Sequence, residues 1–192
     1  MDLPLDIDSL RQQVAAGAVF RYRYFWGHRP SADGRLSDSV FSQWWRCLFE
    51  VDGVSYRTAE QFMMAGKARL FGDLERLEAI LAEPDPARCK KLGREVRGYD
   101  EAAWAAARFD LVTRGNVAKF GQDADRRRYL VDTGEDILVE ASPRDCLWGI
   151  GLGRDNERAR DPRTWRGRNL LGFALVRART LLLTEKVAPA RR

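Results

Sequence analysis

Val51-Asp52-Gly53-Val54-Ser55-Tyr56-Arg57-Thr58-Ala59-Glu60-Gln61-Phe62 turns a strand back on itself and then opens a helix. Asp-Gly supplies the two positive backbone angles that a two-residue turn requires, so Cys47 to Val51 and Val54 to Tyr56 are predicted as a hairpin. Thr58 then stands before an apolar run with Gln61 three residues on, the spacing of a capping box. Phe62, Met63, Ala65 and Leu70 carry the run toward Gly72, which suits a C-cap. The expectation is a helix from Ala59 to about Phe71. Glu60 and Lys67 lie seven residues apart on it, close to two turns, so both side chains leave one face with Met63 and Met64 near the line between them. A carboxylate and an amine facing one pocket is one reading. A dipole-stabilised first-turn glutamate and a solvated lysine is the other.

Upstream, Val19 to Trp26 alternates aromatic and basic side chains, with Phe20, Tyr22, Tyr24 and Trp26 on one face, the period of a half-buried strand. A loop follows from Gly27 to Ser39. Phe25, Trp26, Phe41, Trp44 and Trp45 cluster in this stretch, where they would either stack a planar base or form a core. Downstream, Asp73 to Ala82 reads as a helix stopped by Pro84, and Pro86 to Leu92 as a helix opened by proline. Asp100 would cap a longer helix through Trp104, Ala107 and Leu111 toward Phe120, weakened at Gly115. Ala124 to Thr133 is a further short helix. Ile137-Leu138-Val139 fits a buried strand that delivers Glu140 to its end, and Asn169 to about Leu183 a closing helix with Leu171, Ala174, Leu175, Ala178 and Leu182 on one stripe.

Between that strand and the last helix, Ser142 to Arg168 is too rich in Gly and Pro for a helix and long enough to be a functional loop. The glycines of Trp148-Gly149-Ile150-Gly151-Leu152-Gly153 let backbone approach a ligand and present amides to a phosphate. Turn chemistry accounts for the same glycines. The run is not a Rossmann fingerprint, because the third glycine comes too soon, and not a P-loop, because no Gly-Lys-Ser/Thr closes it.

At 192 residues, 45% hydrophobic and 32% charged, the chain is expected to form one soluble globular domain, residues 1–192. No apolar run approaches the roughly 20 residues of a bilayer span, and the start Met1-Asp2-Leu3-Pro4-Leu5-Asp6 lacks a signal peptide's basic flank, so a cytoplasmic protein is expected. Cys47, Cys89 and Cys146 are odd in number and far apart, which fits neither a disulfide framework nor a Cys-x-x-Cys metal ribbon. His28 is the sole histidine, which removes His-rich zinc sites and leaves Ser-His-Asp or Cys-His catalysis resting on one residue. The net charge of +5 favours phosphate-bearing partners, nucleic acid included. Basic residues form no block except Arg126-Arg127-Arg128, which reads as a solvated helix face, and the tail Arg191-Arg192, which reads as a frayed terminus.

Taken together, Phe41-Ser42-Gln43-Trp44, the stretch from Asp52 to Ala68, Ala118-Lys119-Phe120, Leu138-Val139-Glu140-Ala141-Ser142-Pro143, Trp148-Gly149-Ile150-Gly151-Leu152 and Asn169-Leu170-Leu171-Gly172 resemble the NADAR, or YbiA-like, family in order and spacing. The resemblance runs from about Tyr24 to Leu183. It implies a mostly helical α+β single domain with a small β-sheet, and an enzyme: an N-glycosidase that works without a metal or other cofactor. Two kinds of substrate are implied. One is the ribosylaminopyrimidine phosphates of early riboflavin synthesis, hydrolysed to ribose 5-phosphate and a free base. The other is ADP-ribose on a nucleobase, notably guanine in DNA. The partners would be such a phosphorylated ribosyl compound, ADP-ribose or ADP-ribosylated DNA.

By position, Glu60 and Lys67, the candidate catalytic residues, match the family's helix pair. Trp104 and Trp148 match its pocket tryptophans, Glu140 and Asn169 its later polar positions, and Asp145 a frequent acidic position. Trp26, Ser42, Trp44 and Gly149 complete the expected substrate-binding set. Gln61, Gly66 and Ile150 depart from what many members carry, at positions that would bear on substrate choice. A carboxylate such as Glu60 would stabilise the positive charge that develops on the sugar. Lys67 would protonate the leaving nitrogen, anchor a phosphate or attack C1'. The alternative is a non-catalytic ADP-ribose or nucleotide-binding module, in which the pair only orients ligand.

Overall fold

The computed structural model describes residues 3–184; Lys186 and the Arg191-Arg192 tail lie outside them. The elements run α1 Ile7–Ala15, β1 Tyr22–Phe25, β2 Phe49–Val51, β3 Val54–Tyr56, α2 Ala59–Leu70, α3 Leu74–Ala82, α4 Pro86–Arg94, α5 Glu101–Gly121, α6 Ala124–Val131, β4 Ile137–Glu140 and α7 Leu170–Thr184. This is the mostly helical α+β arrangement with small sheets that the sequence predicts. The chain divides into two compact units, an inserted one of Gly27–Gln122 and a terminal one built from the segments on either side.

In the inserted unit Asp52 and Gly53 turn with φ of 53° and 74°, which sets Val51 opposite Val54 and Phe49 opposite Tyr56. Positive φ at both turn residues is what Asp-Gly tolerates and most pairs do not. Gln122 fastens the hairpin by accepting from the Glu50 N–H at 2.8 Å and donating to the Glu50 carbonyl at 2.6 Å. Thr58 caps α2 by accepting from the Gln61 N–H at 3.1 Å, and the Gln61 side chain accepts from the Arg57 N–H at 2.8 Å. The same Gln61 amide donates to the carbonyls of Ile80, Leu81 and Glu83 at 3.0 to 3.1 Å, closing the end of α3. Asp73, Asp85 and Asp100 cap α3, α4 and α5 in the same manner.

Helices α3, α4 and α5 all pack on α2. Every α2 residue from Ala59 to Ala68 except Lys67 is therefore buried, and no solvent-facing stripe remains. Small residues make the approach possible. A Cβ on Gly66 would fall 2.5 Å from Leu111, one on Gly93 2.0 Å from the Met64 sulfur, and one on Gly115 2.5 Å from the Phe62 ring. Gly115, read from sequence as a weak point, is thus the place where Phe62 packs, and α5 runs unbroken past it.

In the terminal unit β1 and β4 pair in parallel, Tyr22 opposite Ile137 and Phe25 opposite Glu140. Ile137, Leu138 and Val139 are fully buried, and α7 lies on them so closely that a Cβ on Gly172 would stand 2.0 Å from the Leu138 carbonyl oxygen. The strand predicted to reach Trp26 stops at Phe25, which is buried, while Trp26 is 63% exposed. The alternation is broken because Phe25, from the other face of the pattern, is the residue that enters the core. Helix α1 went unread in the sequence; Asp6 caps it, and Arg11 ties it to the carbonyls of Pro162 and Trp165 at 3.0 and 2.9 Å. Among the described residues no helix is long and apolar enough to cross a membrane.

Candidate active site

Glu60 stands in the first turn of α2 and is only 2% exposed, so it is not part of a solvated helix face. Burial of a carboxylate is costly and calls for a reason beyond capping. Its backbone N–H donates to the Gln43 carbonyl at 2.9 Å, which draws the Phe41 to Trp44 loop against the start of α2. Two further ties hold that loop. Lys119, wholly buried, donates its ammonium to the carbonyls of Val40 and Ser42 at 2.5 and 2.8 Å, and the Gln43 amide donates to Asn116 Oδ1 at 3.3 Å. Ser42 accepts from the Trp44 N–H at 3.1 Å. Trp44 is half-buried, with the His28 ring 5.5 Å away and the Lys90 ammonium 5.9 Å from its centroid. Trp44 and Ser42 are thus placed at the Glu60 end of α2, while Phe41 is core, packed 6.0 Å from Phe120.

At the other end of the same face, Lys67 Nζ donates to the Gly93 carbonyl at 2.8 Å and lies 4.1 Å from the Tyr99 ring centroid and 5.8 Å from that of Trp104. Burial lowers its pKa below the ordinary lysine value, against the opposing pull of the Glu101 carboxylate. Tyr99 is held in place by its hydroxyl on Glu101 and by the edge of Phe71 at 5.4 Å. Arg108, whose side chain is 8% exposed, donates to the same Glu101 at 3.1 Å. Trp104 therefore flanks Lys67. Tyr99, Glu101 and Arg108 were not singled out from sequence; the one available signal was that Glu101, Trp104 and Arg108 share a helical face at spacings of three and four.

Cys89 of α4 is fully buried beside this face. Burial first, then Glu83 and Glu60, push its thiol up to about 12. A thiol so buried and so raised is a poor nucleophile. Among the described residues no three His, Cys, Asp or Glu side chains converge as a metal site needs.

The remaining expected residues gather within the terminal unit, at the end of β4. Asn169, fully buried with φ of 53°, accepts from the Glu140 N–H at 3.0 Å and donates to the Leu138 carbonyl at 2.9 Å. Asp145 Oδ1 accepts from the N–H groups of Leu147 and Trp148 at 2.9 and 2.8 Å. Both side chains are occupied in shaping backbone. Gly149 lies so near that a Cβ there would be 2.8 Å from the Glu140 carbonyl. Glu140 and Trp148 are half-buried, and Trp26 follows directly on Phe25, whose carbonyl accepts from Ala141 at 2.9 Å.

The departures from the family pattern fall away from the Glu60 and Lys67 face. Gln61 is consumed by the Arg57 N–H and by carbonyls at the end of α3, and Gly66 receives Leu111. Ile150 is fully buried in the terminal unit.

A mostly helical α+β protein with a buried carboxylate and a partly buried amine on one face of its central helix is the class so defined. Residues 24–183 match the NADAR domain, and the chain belongs to that family. It is 38% identical to the N-glycosidase R617 of Acanthamoeba polyphaga mimivirus, over 83% of this chain and 95% of that one. It is 29% identical to the N-glycosidase YbiA of Escherichia coli (strain K12), over 77% of this chain and 82% of that one. The NMR structure of E. coli YbiA superposes with a TM-score of 0.67 at 23% identity, over 98% of this chain and 100% of that one, a likeness of fold. A 29% identical stretch covers 55% of this chain and 28% of the riboflavin biosynthesis protein VVA0006 of Vibrio vulnificus (strain YJ016). N-glycosidase activity thus occurs within the family.

Proposed function

We propose that the protein hydrolyses the N-glycosidic bond of a ribose-phosphate or ADP-ribose derivative, with a ribosylaminopyrimidine phosphate preferred over ADP-ribosylated guanine in DNA. One observation carries the reading: Glu60 and Lys67 share the face of α2 toward α4, the first buried and the second fixed by Gly93, Tyr99 and Trp104. Burying a carboxylate in a helix wrapped in protein is costly, and a role in the reaction accounts for it.

As the bond breaks, its electron pair leaves with the base and positive charge grows at C1'. The Glu60 carboxylate stabilises that charge and takes a proton from the water that adds to C1'. Lys67, as an ammonium, gives a proton to the departing nitrogen. A lysine whose proton is loosened by burial is better matched to donation near neutral pH than an ordinary one. Trp44 and Trp104 supply apolar walls to the base.

The smaller substrate is favoured because the charge of the Arg126 to Arg128 run is partly offset by neighbouring acids. Arg126 pairs with Asp123 at 3.5 Å, Arg127 donates to the Leu182 carbonyl, and Arg128 lies 4.0 Å from Asp125. The name of the Vibrio relative points the same way.

The test incubates purified protein separately with a ribosylaminopyrimidine phosphate and with ADP-ribosylated guanine DNA, reading released sugar by mass spectrometry. Release of ribose 5-phosphate from the first, abolished in Glu60→Gln, is expected. Release from the DNA alone would reverse the preference. No release from either, with ADP-ribose still bound tightly, would leave a binding module in place of an enzyme.

A further inference from the structure

Phe62 follows Glu60 by two residues, and Arg69 follows Lys67 by two, so this second pair leaves α2 about 200° around from the first. On that far side the hairpin, α2 and α5 line a half-open cavity of about 470 Å³, within the roughly 300–1,000 Å³ range of small-molecule sites. Tyr56, Phe62 and Leu111 are among its apolar lining, and Arg69 and Arg114 bring charge to it. Its walls are set before any ligand arrives. Gln122 bonds both main-chain groups of Glu50, Arg114 Nη2 lies 2.5 Å from Asp52 Oδ1, and Gly66 admits the Leu111 side chain against the α2 backbone. A preformed cavity loses little ordering entropy on binding.

The charges decide what it would take. Arg114 is neutralised by Asp52. Arg69 is exposed, lies 5.9 Å from the Tyr56 ring, and forms no ion pair with an acid among the described residues. One uncompensated cation at an apolar cavity matches a single negative charge on an apolar body.

We propose that this cavity is a binding site for an apolar monoanion, a carboxylate or sulfonate on a ring system or a medium-length alkyl chain, separate from the glycosidase face. The site does not depend on the proposed reaction.

The probe is 8-anilinonaphthalene-1-sulfonate, titrated into the full chain and followed by fluorescence. One saturable site is expected, displaced by decanoate if the natural body is an alkyl chain and by 2-naphthoate if it is a ring. Arg69→Gln, at an exposed position, should weaken the probe by about tenfold. Ala107→Trp, which fills the half-buried edge of the cavity on α5, should abolish saturable binding while thermal unfolding stays cooperative. Glu60→Gln should bind the probe as the native chain does. Equal affinity in the native, Arg69→Gln and Ala107→Trp chains, absence of a saturable site, or displacement by phenyl phosphate dianion more readily than by either monoanion would overturn the proposal.

Discussion

Asn169→Ala tests whether this residue builds the scaffold or touches ligand. The native amide satisfies the Glu140 N–H at 3.0 Å and the Leu138 carbonyl at 2.9 Å, and the residue itself is wholly buried. Removing it strands a donor and an acceptor, each worth about 1–3 kcal/mol when left without a partner out of water. Asn169 also sits at φ of 53°, a left-handed geometry that Asn tolerates and Ala resists by about 1 kcal/mol. The sum centres on about 5 kcal/mol, which for a chain of this size lowers Tm by about 10–20 °C. Asn169→Gly relieves the backbone part alone, so it should recover only about 1 kcal/mol of the loss. Thermal unfolding followed by circular dichroism reads both variants. A drop below about 2 °C for Asn169→Ala, with activity nonetheless lost, would refute the scaffold role and assign the amide to substrate.

Three further outcomes follow from other contacts. Asp73 is held well below the usual carboxylate range, first by the Arg97 guanidinium and then by the Arg97 and Arg76 backbone N–H groups. Because its folded pKa is depressed, its stabilisation is full above the unfolded value near about 4 and fades as pH falls below it, so the Asp73→Asn deficit should be constant at neutral pH and shrink in acid; urea unfolding at several pH values checks this, and a deficit unchanged at pH 2 sinks it. Tyr99→Leu removes the ring beneath the Lys67 ammonium, which favours the charged form, so the alkaline limb of kcat/KM should move to lower pH, whereas Tyr99→Phe should keep the limb near its native position; identical profiles for both would separate Tyr99 from Lys67. Gly115→Ala drives a methyl to 2.5 Å from the Phe62 ring, and overpacking of about 1–3 kcal/mol should outweigh the gain of up to about 1 kcal/mol in helix propensity; a stabilised variant in thermal unfolding would show that the ring simply moves aside.

The hairpin, the start of α2 and the Asp100 cap of α5 were legible in the sequence because each is decided within a few residues. Asp52-Gly53 specifies its own turn, and an Asp or Thr finds its N–H partner three positions on. The pairing of Glu60 with Lys67 on one face is likewise local, a matter of helical pitch. What spacing could not say is whether that face meets water. Only the packing of α3, α4 and α5 around α2 buries Glu60, and only the tertiary fold brings Gly93, Tyr99 and Arg108 to the Lys67 end. The parallel pairing of β1 with β4, separated by most of the chain, has no local signature either. Gly66 and Gly115 show the limit most plainly. In sequence they are weak helix formers, and in the structure they are the points where Leu111 and Phe62 enter. A glycine's cost is intrinsic to the chain, whereas its use depends on a neighbour that arrives from elsewhere in the fold.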